Sequence, residues 1–130
     1  MVKILGKKVI LIIEDDVNLQ QVYLDALTQE GFVVLQALNG KQGLRMAKFE
    51  KPDLILLDIM LPSGMNGFDV LEELKRDLDT KKIPVTILTN LESEQKTAKD
   101  IGAQDYLIKA NVSVGEIIEH VKKKLSFISL

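Results

Sequence analysis

Short apolar runs recur along this chain at spacings that leave room for one helix between each pair. They are Val9–Ile13, Val33–Leu35, Leu54–Leu57, Val85–Leu88 and Tyr106–Ile108. Runs this short and continuous suit strands buried on both faces, as in a parallel sheet. The intervening segments carry helical spacing instead. Leu19, Val22, Tyr23, Ala26 and Leu27 share one face, and Gly31 stops that helix. Asn39 is placed to cap a second helix bearing Leu44, Ala47 and Phe49, which ends before Pro52. Val70, Leu71, Leu74 and Leu78 mark a third. A fourth, over residues 92–101, is apolar only at Ala98 and Ile101. The fifth opens on a capping box, Ser113 to Glu116, and carries Val114, Ile117, Ile118, Val121 and Leu125.

Strand and helix therefore alternate five times. Right-handed crossovers then place helices on both faces of one sheet. The expected architecture is α/β: a doubly wound, five-stranded parallel sheet, flavodoxin-like (βα)5, with strand order 2-1-3-4-5. The 130 residues suit a single domain spanning 1–130.

Composition narrows the function. The net charge of −2 supplies no basic field for nucleic acid. The absence of cysteine excludes disulfides, thiol catalysis and thiolate metal sites. One histidine, His120, cannot form a multi-histidine metal centre. The longest early apolar run, Val9–Ile13, is too short for a signal-peptide core or a membrane span, so a cytoplasmic location is expected.

In a doubly wound sheet the ligand lies beyond the carboxyl ends of the strands. The first strand ends in Glu14-Asp15-Asp16 and the third in Asp58. Those strands are neighbours in the expected order, so their acids converge. Each acid alone has a structural explanation, and Asp16 is expected to cap the first helix. Glu14, Asp15 and Asp58 together repel one another and call for a cation. Oxygen ligands without histidine or cysteine point to Mg²⁺. The fourth strand adds the hydroxyl of Thr89 and the fifth the ammonium of Lys109. Carboxylates, a hydroxyl and a lysine around a metal suit phosphoryl transfer to a carboxylate.

With these residues in place, the chain resembles the receiver domains of bacterial two-component response regulators over almost its whole length. The matching segments are VILIIEDD at 9–16, LILLDIMLP at 54–62, NGFDVL at 66–71, IPVTILT at 83–89 and GAQDYLIK at 102–109. The resemblance implies a phosphorylation-dependent switch, with Asp58 accepting a phosphoryl group from a histidine kinase or phosphotransfer protein. It implies Mg²⁺ held by Asp15, by Glu14 through water, by Asp58 and by the Met60 carbonyl. Thr89 and Lys109 would contact the phosphoryl group, and Tyr106 would turn inward as Thr89 moves. The implied output is a protein target docking on the fourth helix, fifth strand and fifth helix, with room for a phosphorylation-dependent dimer. Direct nucleic-acid or membrane contact is not implied.

Three departures from the family pattern stand out. The segment Ser63-Gly64-Met65-Asn66 is about one residue longer than usual, Asn90 replaces a small residue, and Ala110 replaces a proline that is usually cis. A trans Lys109–Ala110 bond and a shifted loop before Ser113 are expected. A haloacid dehalogenase type of phosphatase is the enzymatic alternative, but it needs an acid where Met60 stands. A receiver-like module that only mediates contacts is the other. Met60 and Leu91 lie past their strand ends, outside the expected core, where they would exclude attacking water and slow hydrolysis of the phosphorylated form. No output domain is expected after the fifth helix, which fits either a stand-alone regulator or a piece of a longer chain, and the apolar tail Phe127-Ile128-Ser129-Leu130 is a candidate docking surface or a truncated linker.

Overall fold

The computed structural model describes residues 6–62 and 64–125; Ser63 and the apolar tail lie outside them. Ten main elements alternate: β1 (Val9–Ile13), α1 (Val17–Gln29), β2 (Val33–Ala37), α2 (Gly40–Glu50), β3 (Leu54–Leu57), α3 (Gly67–Arg76), β4 (Val85–Thr89), α4 (Gln95–Ile101), β5 (Asp105–Ile108) and α5 (Val114–Leu125). All strand pairs are parallel, in the order β2-β1-β3-β4-β5. The expected (βα)5 architecture is the one observed.

The pleat divides the core in two. Ile10, Ile12, Leu54, Leu56 and Leu88 pack against Tyr23 and Leu27 of α1 and Ile117, Val121 and Leu125 of α5. Leu11, Ile13, Ile55, Leu57, Val85 and Ile87 face Ala47 of α2, Val70, Leu71 and Leu74 of α3, and Ala98 of α4. Each fully buried aliphatic side chain contributes about 1.5–3 kcal/mol against exposure, so both layers are needed. The edge strands differ from expectation. Residues 33–36 of β2 and all of β5 are only half-buried, because each lacks a neighbouring strand on one side.

The helix caps follow the sequence closely. Asp16 accepts from the Asn18 and Leu19 amides, Asn39 from Gln42, and Ser113 pairs reciprocally with Glu116. Three apolar assignments were too generous. Val22, Phe49 and Leu78 are 44%, 67% and 79% exposed. Gln20, Tyr23 and Leu27 form the inward face of α1 and leave Val22 on its flank. Leu78 lies beyond the end of α3. Helix α4 begins three residues later than expected, at Gln95, and its N-cap residue Glu94 makes no side-chain cap. Ala98 is its only buried residue, so α4 is the least anchored helix. On α5, His120 hydrogen-bonds Thr86 at 2.9 Å, and burial pushes its imidazole below the usual range.

One glycine fixes where α3 meets the sheet. A Cβ on Gly67 would lie 2.5 Å from the Ile59 Cα and closer still to the Asp58 carbonyl. The Gly67 amide donates to the Ile59 carbonyl at 2.8 Å. Gly67→Ala should therefore destabilise the fold by about 3 kcal/mol, the upper end for overpacking, because the obstacle is backbone. Gly115→Ala, where a Cβ on this helical glycine would meet only the Ser113 hydroxyl at an ordinary 3.8 Å, should stabilise by about 0.5–1 kcal/mol. Urea denaturation of the two variants checks the contrast.

Candidate functional site

The register brings the acids together. Ile13 pairs with Leu57, and the Asp58 amide donates to the Ile13 carbonyl at 3.1 Å. Glu14 and Asp58 thus stand side by side, one residue past adjacent strand ends. Both are buried, at 3% and 5% exposure, while Asp15 is exposed. Carboxylate oxygens of Glu14, Asp15 and Asp58 lie within 4.8 Å of one another. The side chains foreseen as metal ligands are therefore in one place.

Lys109 crosses from β5 to meet them. Its Nζ donates to Asp58 Oδ2 at 2.7 Å and also to Glu14 Oε1. Burial alone would lower the Lys109 pKa, but the hydrogen bonds to Asp58 and Glu14 outweigh it and hold the pKa above the usual lysine value. Burial is also the main influence on Glu14 and pushes its carboxyl up, against the pull of Lys109 and of the Asp16 amide. Asp58 Oδ1 accepts the Met60 amide at 3.0 Å, which fixes the carboxylate plane.

Three carboxylates against one ammonium leave a formal charge of about −2 when all are ionised. An all-oxygen donor set with that deficit fits a hard divalent cation such as Mg²⁺.

Thr89 ends β4 in full burial, and its hydroxyl accepts a long 3.4 Å hydrogen bond from the Leu91 amide. The Tyr106 hydroxyl donates to the Leu91 carbonyl. Leu91 therefore sits between the two residues expected to move together. It is half-buried and leans on the core, whereas Met60 is 58% exposed. The expectation that both lie outside the core holds for Met60 only. Among the described residues no peptide bond is cis, so Lys109–Ala110 is trans, and Lys109–Asn111 forms a short 3-10 turn.

One contributor escaped the sequence reading. Gln20 is 3% exposed, and its amide nitrogen lies 2.9–3.1 Å from the carbonyls of Ile12, Glu14 and Ala37. It clamps the acidic end of β1 to β2. Gln36 in turn donates to the Gln20 side-chain oxygen at 3.1 Å. A polar residue within an otherwise apolar helix face was the available clue.

The sequence profile of the response regulator receiver domain matches residues 10–122. The chain belongs to the response regulator receiver domain family. Protein PilH of Pseudomonas aeruginosa is 40% identical to this receiver over 102 residues, 77% of this chain and 84% of that protein. RpaA of Synechocystis, a DNA-binding dual master transcriptional regulator, is 41% identical over 118 residues, 89% of this chain and 48% of its own length. The receiver thus spans about half the length of the transcriptional regulators it matches. A CheY-like receiver from Methanospirillum hungatei superposes with TM-score 0.84 at 28% identity, covering 93% of this chain and 95% of that one. The receiver domain of the histidine kinase PA1611 from Pseudomonas aeruginosa, solved with magnesium coordinated in its active-site cleft, gives 0.80 at 26% identity, covering 91% and 97%. No helix among the described residues is long and apolar enough to cross a membrane.

The clamp on β1 has a measurable consequence. Gln20→Leu removes the amide donor shared by the Ile12, Glu14 and Ala37 carbonyls, of which Ala37 keeps the Glu14 amide, and should cost about 2 kcal/mol of stability. Mg²⁺ affinity should fall with it, because the Glu14–Asp15 backbone loses its tether. A folded variant with undiminished Mg²⁺ affinity in a titration would exclude the clamp from the site.

Proposed function

We propose that this receiver is a phosphorylation switch in which Asp58 accepts a phosphoryl group with the help of Mg²⁺. The observation that carries this reading is the shared ammonium. Lys109 bridges Glu14 and Asp58 at the carboxyl edge of the sheet, with Asp15 alongside. Asp15, Asp58 and the Met60 carbonyl would hold the cation directly, with Glu14 reaching it through water. Bound there, Mg²⁺ supplies positive charge against the oxygens of the transferring group.

In the transfer, an Asp58 carboxylate oxygen bonds phosphorus as the donor bond breaks. That bond is phosphorus–nitrogen in a kinase phosphohistidine and phosphorus–oxygen in acetyl phosphate. Lys109 then faces the new phosphoryl oxygens in place of the lost carboxylate charge. Thr89 turns from the Leu91 amide towards the phosphoryl group, and Tyr106 follows. The weakly anchored α4, with β5 and α5, forms the output surface for a protein target. A sensor histidine kinase or phosphotransfer protein acts as donor, and the cytoplasm is the fitting location. The family match and the magnesium bound by the PA1611 receiver support this reading. Catalysis is limited to the receiver's own phosphorylation and slow hydrolysis.

Labelling with acetyl phosphate should require Mg²⁺ and should vanish in Asp58→Asn, while Asp15→Asn should weaken Mg²⁺ binding. Labelling of the Asp58 variant at the wild-type level would remove the assignment.

The phosphorylated form should also persist. Met60 offers no hydrogen bond to orient an attacking water, and Leu91 is turned to packing. Losing such a contact slows hydrolysis on the order of 10²-fold. Decay of the label should be slow in wild type and faster in a Met60→Asn, Leu91→Glu double variant. Decay within seconds in wild type, or no acceleration in the variant, contradicts water exclusion.

A further inference from the structure

We propose that Asn90 is a positioning residue that latches the loop after Thr89 to the loop after Lys109. The inference rests on the proposed roles of those two side chains. The β4–β5 pairing ends at Thr89 and Ile108. Past that point the strands have no further ladder contact, yet the two groups that must meet the phosphoryl oxygens are anchored there. The Asn90 side-chain oxygen accepts the Ala110 amide at 2.9 Å. It serves where the next backbone carbonyl of a longer strand would, and so extends the pairing by a side chain.

The partner matters as much as the acceptor. Ala110 lies inside the short turn Lys109–Asn111. Amides at the start of such a turn have no partner within it. A residue without an N–H at this position could not be latched. Lys109 is thereby bracketed, with Ile108 held by the ladder and Ala110 by Asn90. Its backbone is fixed on both sides while its ammonium spans Glu14 and Asp58.

An asparagine after a strand is often an ordinary loop residue, and then its side chain bonds to its own turn two or three positions on. Asn90 instead reaches twenty residues along the chain, to the other loop of the site. Asn90 and Ala110, which departed from the family pattern separately in the sequence, are two halves of one contact. Asn90 is exposed, so its loss leaves the amide to water and does not bury an unpaired donor.

The expected effect is therefore modest and local. In Asn90→Ala, exchange of the Ala110 amide measured by NMR should accelerate roughly threefold to tenfold, as for one neutral hydrogen bond. Asn90→Asp keeps an acceptor and should retain the protection. Beryllofluoride affinity at saturating Mg²⁺ should fall in Asn90→Ala by a similar factor, while Mg²⁺ affinity alone stays at the wild-type value. That split separates a latch on Thr89 and Lys109 from general damage, which would lower both. Unchanged Ala110 exchange, unchanged beryllofluoride affinity, or parallel loss of Mg²⁺ binding would each overturn the proposal. Failure of the wild type itself to bind beryllofluoride would instead refute the phosphoacceptor reading on which the latch depends.

Discussion

A single ammonium shared between two buried carboxylates is the interaction on which the rest of this molecule turns. Burying Glu14 and Asp58 side by side is costly, because like charges in a poorly hydrated crevice repel and lose their water. Lys109 offsets part of that cost and leaves part of it standing. The residual negative charge is what makes the crevice receptive to a cation. The sheet order exists, in this sense, to keep three strand ends within reach of one another. Gly67 lets α3 approach the Asp58 backbone, and Gln20 fixes the Glu14 carbonyl.

The extent to which the sequence revealed this follows from the range of each signal. Strand positions were legible because burial on both faces writes continuous apolar runs into the chain. The caps at Asp16, Asn39 and Ser113 were legible because capping is a contact between near neighbours. Glu14, Asp15 and Asp58 were legible as a cluster once the topology was granted, since strand ends locate side chains without further detail.

What was missed depends on partners distant in sequence. Gln20 looks unremarkable in a helix until three carbonyls from two strands surround it. Asn90 and Ala110 read as two unrelated departures until one hydrogen bond joins them. Val22, Phe49 and Leu78 show the opposite failure. Helical spacing counts apolar residues but does not say where the helix ends or which flank the neighbours leave uncovered. The late start of α4 belongs here too, since its N-cap residue Glu94 makes no side-chain cap that would mark the boundary.

The division of the core by the pleat has a mechanical meaning. The buried side chains above and below the sheet form separate clusters, one gathering α1 and α5, the other α2, α3 and α4. Helices α4 and α5 flank the same edge strand, yet they belong to different clusters. A rearrangement of α4 can be absorbed by its own layer without disturbing the packing that holds α5. The strand backbones between the layers act as a bulkhead, so movement on one side reaches the other chiefly through β4 and β5 and the loops at their ends. A small domain can in this way stay folded on one side while the other changes shape.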